Sequence, residues 1–462
     1  MLPVLLISTD VGAQELRGAL PLPGEQPTAS RSLSETDLSS SQPLAESTAF
    51  DPGPSDAAPL PGLTSELLAA PGESAASRRR AISEDDPYAP VGLKAGSFIF
   101  LPRLDQNVGV DSNPRRERGG EGSAYSRTLG RLDVESEWLR HSLRGSIQAG
   151  YTAYREFPDL DAPDFLGEIE ARADVRRDMR LDLSFRLTKE SESPGDPDLP
   201  EGVSGRPDIL RYGGTAGFTI KPNRASLALQ ALAERSEYGE AVLNNGEVVD
   251  NTDRNVSVFE LKLRTGYELS PALEPFLDVA VNRREHDQTF DDLGFRRSSD
   301  GYEIAIGARF EPSVVFAMTG KVGYRQQTPD DPTLDSINGL VTEGSLVWRP
   351  TALTTVTLAV DSGISETTRA DSSGALARSA SARVDHALRR NLLLSGSLVF
   401  QRSDYAGSDY RIDETTAELG VEYRFTRTVA VRGRLAHQDY RTSLPGEDYT
   451  ANVVEAGISL RR

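Results

Sequence analysis

The chain has 462 residues, of which 37% are hydrophobic and 26% are charged. Its formal net charge of −19 repels phosphate, which argues against nucleic acid as a partner. No apolar run approaches the ~18 residues that a membrane-spanning helix needs, so a helical membrane protein is excluded. With no cysteine and four histidines, the chain has no means for disulfides, thiolate catalysis or a zinc–cysteine site.

The N-terminus has the pattern of the end of a secretory signal. An apolar stretch at residues 2–7 precedes Val11-Gly12-Ala13, the kind of small-residue site that a signal peptidase cuts. No positive charge precedes the stretch, so either the true start lies upstream or the segment is a chance apolar N-terminus. We expect residues 1–13 to be a partial signal peptide.

Residues 14–87 are rich in Ser, Pro, Ala and Glu and show neither helical nor strand periodicity. Such a segment buries too little apolar surface to offset its chain entropy, so we expect a disordered periplasmic tail. Its twelve acids against five arginines hold over a third of the net charge. A spacer is the simpler interpretation, and a partner-binding arm is the alternative.

From Phe98 onward apolar and polar residues alternate, which is the period of strands with two unlike faces. No segment with a helical period interrupts this pattern. Clear examples are residues 143–152, 168–175, 259–267, 302–310, 316–324 and 417–425.

The connections between these strands alternate between very short and very long. Long polar loops rich in Gly, Pro and Asp include 191–208, 239–255 and 327–338. Eight turns and nine loops would connect eighteen strands. The predicted tight turns are residues 139–141, 176–178, 222–224, 270–272, 311–313, 349–351, 389–391 and 426–428.

This alternation of connections favours a closed membrane barrel over a sandwich or a solenoid, whose strands alternate as well. Outer-membrane barrels have an even number of antiparallel strands, with short turns at one end and long loops at the other. An outer face in hydrocarbon cannot leave backbone groups unpaired, so the sheet must close. The predicted fold class is all-β: a transmembrane antiparallel up-and-down barrel of about eighteen strands over residues 88–462, with a disordered N-terminal tail.

Aromatic residues near the predicted strand ends fit the girdles that such barrels form at headgroup depth. The alternative is that each is an ordinary strand aromatic. These residues are Trp138, Tyr267, Phe310, Trp348, Tyr423 and Phe425.

The segment PYAPVGLKAGSF at residues 87–98, Phe100-Leu101-Pro102 and VGVDSNP at 108–114 form a proline-bracketed lead-in, a first strand and its outer end. Together they resemble the opening of an outer-membrane β-barrel porin family of Gram-negative bacteria. The resemblance covers roughly residues 87–462. It implies an outer-membrane location and, more loosely, a part in capsule or exopolysaccharide export or in surface permeability. It brings no catalytic residues.

The sequence gives little support for an enzyme. Its four histidines suggest no shared site, and no glycine-rich phosphate loop is present. Acidic loop groups at 159–164, 250–253 and 330–335 could offer oxygen ligands to calcium but lack a full calcium loop. We expect no catalytic residue, no cofactor and no metal site.

Alternation assigns charges of both signs to the inner face in nearly equal number. An eighteen-stranded barrel is too wide for side chains to fill, so we expect an aqueous lumen unless a loop occludes it. The acid excess would lie at the mouths, which predicts a mild cation preference that strengthens at low salt. The candidate lumen-lining residues are Arg144, Glu168, Glu170, Arg172, Arg180, Arg186, Glu260, Lys262, Arg264, Arg309, Lys321, Arg325, Glu418, Glu422, Arg432 and Arg434.

Two functions stay open: a porin-like channel or component of exopolysaccharide or capsule export, and a plugged structural or adhesive surface barrel whose external loops bind a ligand. Expected partners are outer-membrane lipid and lipopolysaccharide, the barrel-assembly machinery, and polysaccharide or small hydrophilic solutes. Assembly machinery usually reads a terminal aromatic residue, whereas this sequence ends in Leu460-Arg461-Arg462. We expect that last strand to form while its role as an assembly signal stays open.

Overall fold

A computed structural model describes residues 86–462 except 194, 195, 197, 200–202, 244, 366, 370 and 371. The predicted signal peptide, and the predicted tail as far as residue 85, lie outside the described residues. Within the described residues, no helix is both long and apolar enough to span a bilayer.

The described chain forms one antiparallel sheet of eighteen long strands, to which the short strand Leu93–Ala95 adds a small hairpin. Two single-turn 3₁₀ helices, Pro158–Leu160 and Thr252–Arg254, lie in loops, and residues 203–204, 241–243 and 248–249 pair as a small separate sheet. The long strands are β1 Phe98–Asp111, β2 Ser123–Ser136, β3 His141–Tyr154, β4 Ala162–Arg176, β5 Met179–Ser191, β6 Asp208–Ile220, β7 Ala225–Tyr238, β8 Val256–Tyr267, β9 Leu273–His286, β10 Ser299–Ser313, β11 Phe316–Pro329, β12 Ile337–Thr351, β13 Thr354–Ser365, β14 Ala375–Arg389, β15 Leu392–Tyr405, β16 Arg411–Arg424, β17 Val429–Thr442 and β18 Tyr449–Arg461.

The sheet closes into a barrel. Each long strand pairs with its neighbours in sequence, and β1 pairs with β18 from Arg103↔Arg461 to Asp111↔Val453. Closure gives the two end strands a backbone partner, which a sheet in hydrocarbon requires. The predicted all-β, up-and-down barrel of eighteen strands is confirmed.

The two ends of the barrel differ as the sequence predicts. Along the described chain, eight turns of two to five residues lie at one end, and nine loops of five to seventeen residues lie at the other. The turns predicted at 311–313 and 349–351 instead fall within the ends of β10 and β12, and the chain reverses just after them. The register shifts beside Pro312 and Pro350, and it shifts in the same way beside the other two-residue turns, after β4 and β14, so the shift accompanies the short turn.

The outer face is apolar and ends in aromatic side chains. Leu261 is 48% exposed and Ile306 is 64% exposed, as expected for side chains that meet hydrocarbon rather than water. All six aromatic residues named from the sequence lie at the turn end of the barrel. Two of them, Tyr423 and Phe425, pack edge to face with ring centroids 4.7 Å apart. These positions fit an interfacial girdle at that end.

One turn depends on a left-handed residue. In the turn between β6 and β7, Asn223 has a φ of 59°. We expect Asn223→Val to lower the free energy of unfolding by about 1–2 kcal/mol, because a β-branched residue is strained at positive φ. Asn223→Gly should leave stability within about 0.5 kcal/mol. Urea titration of the protein folded into phospholipid vesicles measures both.

The matched control is Arg390→Val in the turn between β14 and β15, where φ is not positive. Equal losses from the two valine substitutions would contradict the strain argument.

Candidate functional site: the barrel interior

The inner face of the barrel carries the charged side chains. Lys262 is 6% exposed, whereas its neighbour Leu261 points outward. Glu303 is 4% exposed, whereas its neighbour Ile304 points outward. All sixteen candidate residues share the parity of such inward side chains along their strands. The structure therefore places them on the concave face, where most of them form three clusters and two further ion pairs.

Lys321 on β11 is the centre of the first cluster. Its Nζ lies 2.7 Å from Glu303 on β10, 2.8 Å from Glu343 on β12 and 3.8 Å from Asp278 on β9. Lys321 can reach Asp278 across the intervening strand β10 because inward side chains of a barrel converge. These ion pairs connect four consecutive strands around one ammonium group.

Two arginines extend this cluster. Arg264 on β8 donates two hydrogen bonds of 2.7 Å to Asp278, and Lys262 approaches the same carboxylate at 3.5 Å. Arg325 donates from Nε to Glu303 at 2.9 Å. The cluster therefore mixes both signs from β8 to β12, and each of the carboxylates Asp278, Glu303 and Glu343 lies beside at least one cation.

Glu422 on β16 is the centre of the second cluster. It accepts hydrogen bonds from Arg424 at 2.8 Å, from Arg432 on β17 at 2.9 Å and from Arg461 on β18 at 3.1 Å. Arg424 also donates to Asp86 at 3.1 Å, so the segment before β1 reaches the inner face at the turn end. The inward position of Arg461 gives the last strand a polar anchor.

The third cluster joins β4 and β5 through Asp182. This carboxylate accepts from Arg180 at 2.7 Å and from Arg172 at 3.2 Å. Bidentate or shared carboxylates of this kind fix the register of strands as well as their charge. Further inner-face ion pairs join Arg434 to Glu418 and Arg186 to Glu168.

Four of the candidate residues, Arg144, Glu170, Glu260 and Arg309, lie at the edges of these clusters. Arg309 bonds to Glu311 at 3.1 Å near the turn end. Arg144 on β3 is in register with Glu170 on β4, and Glu260 is in register with Asn282 on β9. The structure thus brings most of the predicted lining residues into salt-bridge networks and leaves these at their edges.

A contact between two long loops crosses the interior at the loop end. Asp198, in the loop between β5 and β6, accepts a hydrogen bond of 2.6 Å from the Thr367 hydroxyl and one of 3.1 Å from the Thr368 N–H. Thr367 and Thr368 lie between β13 and β14, which face β5 and β6 across a ring of eighteen strands. We call this contact the loop bridge.

Other loops hold the far side of the loop bridge in place. Arg297, between β9 and β10, donates to the carbonyl oxygens of Ser372 at 2.8 Å and Arg369 at 3.0 Å. The guanidinium of Arg369 lies 4.0 Å from the centre of the Tyr410 ring. Three other loops therefore contact Thr367, Thr368, Arg369 and Ser372.

The near side of the loop bridge is rich in carboxylates. Glu192 pairs with Arg254 of the neighbouring loop at 3.1 Å. Asp196 accepts a hydrogen bond of 2.9 Å from the Asp198 N–H. Burial, together with the charges of Glu192 and Asp198, raises the pKa of Asp196 to about 7. Asp196 thus changes its charge near neutral pH.

Sequence periodicity could not indicate the loop bridge, because the loops that form it have no period. Their acid content was the single signal: Asp196 and Asp198 lie in the longest polar run, next to Glu192. The acidic groups at 159–164, 250–253 and 330–335 are not brought together, and the described residues contain no group of three or more His, Asp or Glu that could hold a metal.

A family model described as "Putative beta-barrel porin 2" matches residues 86–462. No curated protein matches the chain. The barrel and the family match together place the chain in the outer membrane. They do not support the expected part in capsule or exopolysaccharide export.

The solved structures to which the chain is similar at low identity include three bacterial proteins. Pseudomonas aeruginosa OpdK with vanillate has 11% identity and a TM-score of 0.41, over 79% of this chain and 98% of that one. Pseudomonas aeruginosa OccK2 (OpdF) with glucuronate has 12% identity and a TM-score of 0.40, over 78% of this chain and 97% of that one. Acinetobacter baumannii OccAB4 has 10% identity and a TM-score of 0.39, over 79% of this chain and 98% of that one.

Lys321 provides a test of the first cluster. We expect Lys321→Met to lower the free energy of unfolding by about 3–5 kcal/mol, because it leaves three buried carboxylates without their shared cation. Urea titration in vesicles measures this loss.

The control is Arg441→Met, which removes an exposed pair with Asp439 on the outer rim, where the arginine side chain is 72% exposed. It should cost at most about 1 kcal/mol. A loss of similar size at both positions would contradict the central role of Lys321.

Proposed function

Because the chain belongs to this β-barrel porin family, we propose that it is a diffusion channel for small hydrophilic solutes, with its loops outside the cell and both ends of the barrel chain in the periplasm. The observation that carries the proposal is the loop bridge, in which Asp198 meets Thr367 across the interior at 2.6 Å. A barrel this wide would otherwise be open to large molecules. The bridge divides its outer mouth into narrower passages.

The charge pattern supports a preference for cations. Along the barrel interior, most arginines and lysines are offset by a carboxylate within hydrogen-bond distance, as at Lys321 and Glu422. At the loop bridge, by contrast, Asp196 and Asp198 accept hydrogen bonds from neutral N–H and O–H groups. Arg254, the cation that interacts with Asp196, also pairs with Glu192, so the carboxylates Glu192, Asp196 and Asp198 outnumber it. A passage beside them attracts cations and repels anions.

A plugged surface barrel is the second candidate, and the loop bridge favours it if the passages beside the bridge are closed. Ion conductance in planar bilayers distinguishes the two functions. The channel requires a steady single-channel conductance, whereas a plugged barrel that is verified as folded gives none.

The orientation of the barrel can be tested with single cysteines, since the native chain has none. We expect Asn245→Cys, in the loop between β7 and β8, to react with an impermeant maleimide on intact cells. Pro271→Cys, in the turn between β8 and β9, should react only after the outer membrane is opened. The reverse pattern would invert the topology.

We expect the cation preference to depend on pH through Asp196. Its raised pKa of about 7 means that the group is neutral below that pH and negative above it. The permeability ratio of potassium to chloride should therefore rise as pH increases through about 7, by about twofold for one charge in a salt-screened mouth. Reversal potentials under a salt gradient measure this ratio.

Asp196→Asn should remove the rise and hold the ratio at its low-pH value. Asp250→Asn, an exposed carboxylate in a neighbouring loop, is the matched control and should keep the rise. A variant Asp196→Asn with the full pH dependence would overturn the assignment of the titrating group.

A further inference from the structure

One interstrand ladder of the barrel is incomplete. The register pairs between β12 and β13 end at Gly344↔Val360, whereas β12 continues to Ile337 and β13 to Ser365. Above that point β12 pairs with β11 alone and β13 with β14 alone. All residues on both sides of this gap, 337–343 and 361–365, are described. We call the gap the seam.

The two sides of the seam overlap. Ile337 and Val341 lie on the inner face of β12, since Leu340 between them is 66% exposed outside. By the alternation along β13 and β14, Ile364 and Leu376 belong to the outer face of those strands. They are nevertheless only 3% and 5% exposed. These four side chains pack as one apolar cluster. The upper hairpin of β13 and β14 therefore lies inside β12, and side chains close the seam.

Two hydroxyl groups span the lower end of the seam. The Thr342 N–H donates to the Ser362 hydroxyl at 3.1 Å, and the two side-chain oxygens are 3.3 Å apart. A side chain thus substitutes for the backbone partner that β13 would provide. Such contacts separate more easily than a ladder, because no backbone pairing holds them in series.

An apolar groove on the outer face leads to the seam. It has a volume of about 920 Å³ and crosses from β8 to β13, with Leu277, Ile306 and Met318 among its lining residues. Gly344 and Val360, the last pair of the ladder, line its end.

We propose that the seam is a lateral portal, through which a single-chain amphipathic molecule moves between the outer leaflet and the barrel lumen. Its acyl chain would lie in the groove and pass between the apolar side chains of the overlap, while its polar head moves into the charged interior. The continuity of groove and seam favours this occupant over a second copy of the chain. The route is separate from the axial passage of hydrophilic solutes.

A disulfide across the seam tests the portal. We expect Thr342→Cys with Ser362→Cys to cross-link on oxidation, because the replaced oxygens are 3.3 Å apart. The probe is lysophosphatidylcholine with a nitrobenzoxadiazole label, added outside proteoliposomes that contain albumin. Binding of the probe to the enclosed albumin raises the fluorescence, so the signal reports transfer into the vesicles. Oxidation should slow the transfer about tenfold, and reduction should restore it.

The matched control is Ser184→Cys with Thr215→Cys, whose oxygens are 2.8 Å apart on the complete ladder of β5 and β6. Its oxidation should leave transfer unchanged, and neither disulfide should change potassium conductance, which reports the axial channel. Transfer at the wild-type rate through an oxidised seam would overturn the portal. So would wild-type transfer no faster than in empty vesicles, or failure of the seam pair alone to cross-link.

The groove can be filled independently. A Cβ added at Gly320 would have its nearest neighbour, the Glu343 carbonyl oxygen, at 3.9 Å, so Gly320→Leu fits. We expect it to slow lipid transfer severalfold. Gly396→Leu, on the outer face of β15 with its nearest neighbour at 3.5 Å, should not. Equal transfer in both variants would exclude the groove as the route.

Discussion

The structure depends on one constraint: hydrocarbon offers no hydrogen bonds, so the backbone groups of a strand in a bilayer must find partners in the protein. Closure between β1 and β18 meets this requirement around the ring. At the seam, side chains replace part of the backbone pairing. The Ser362 hydroxyl accepts a hydrogen bond from the Thr342 N–H, and the apolar overlap covers the strand edge. Because this pairing is incomplete, the seam is where two neighbouring strands can separate most easily.

The same solvent determines where charge can go. With an apolar outer face, charged strand residues within the bilayer must face inward, and buried charges of one sign would repel one another. Ion pairs around Lys321, Asp182 and Glu422 offset this repulsion. The result is an interior that is polar yet locally neutral. The cation preference that we propose therefore depends on the loops, where Asp196 and Asp198 accept hydrogen bonds from neutral donors.

Sequence reasoning reached the strands, the two faces and the asymmetry of the ends, because each depends on neighbours in the chain. Alternation alone assigned Lys262 and Glu422 to the inner face. It could not show which charges pair, since Lys321 meets Asp278 from two strands away. Nor could it find the loop bridge or the overlap, which depend on the curvature of the finished ring. The turns predicted at Pro312 and Pro350 were misplaced because both strands continue past the proline and reverse only in the two-residue turns at 314–315 and 352–353.

The overlap and the loop bridge are parts of one arrangement. Eighteen strands about 4.8 Å apart, tilted by about 40°, make a ring roughly 35 Å across. Asp198 lies seven residues beyond the end of β5, and seven extended residues reach only about 25 Å. Thr367 lies two residues beyond the end of β13, so the two loops and their side chains together can just span that width. The overlap shortens the span, because Leu376 packs against the inner face of β12 and so displaces the start of β14 inward, beside the loop that carries Thr367. We expect a hairpin that moved out to complete its ladder to lengthen the span between Thr367 and Asp198.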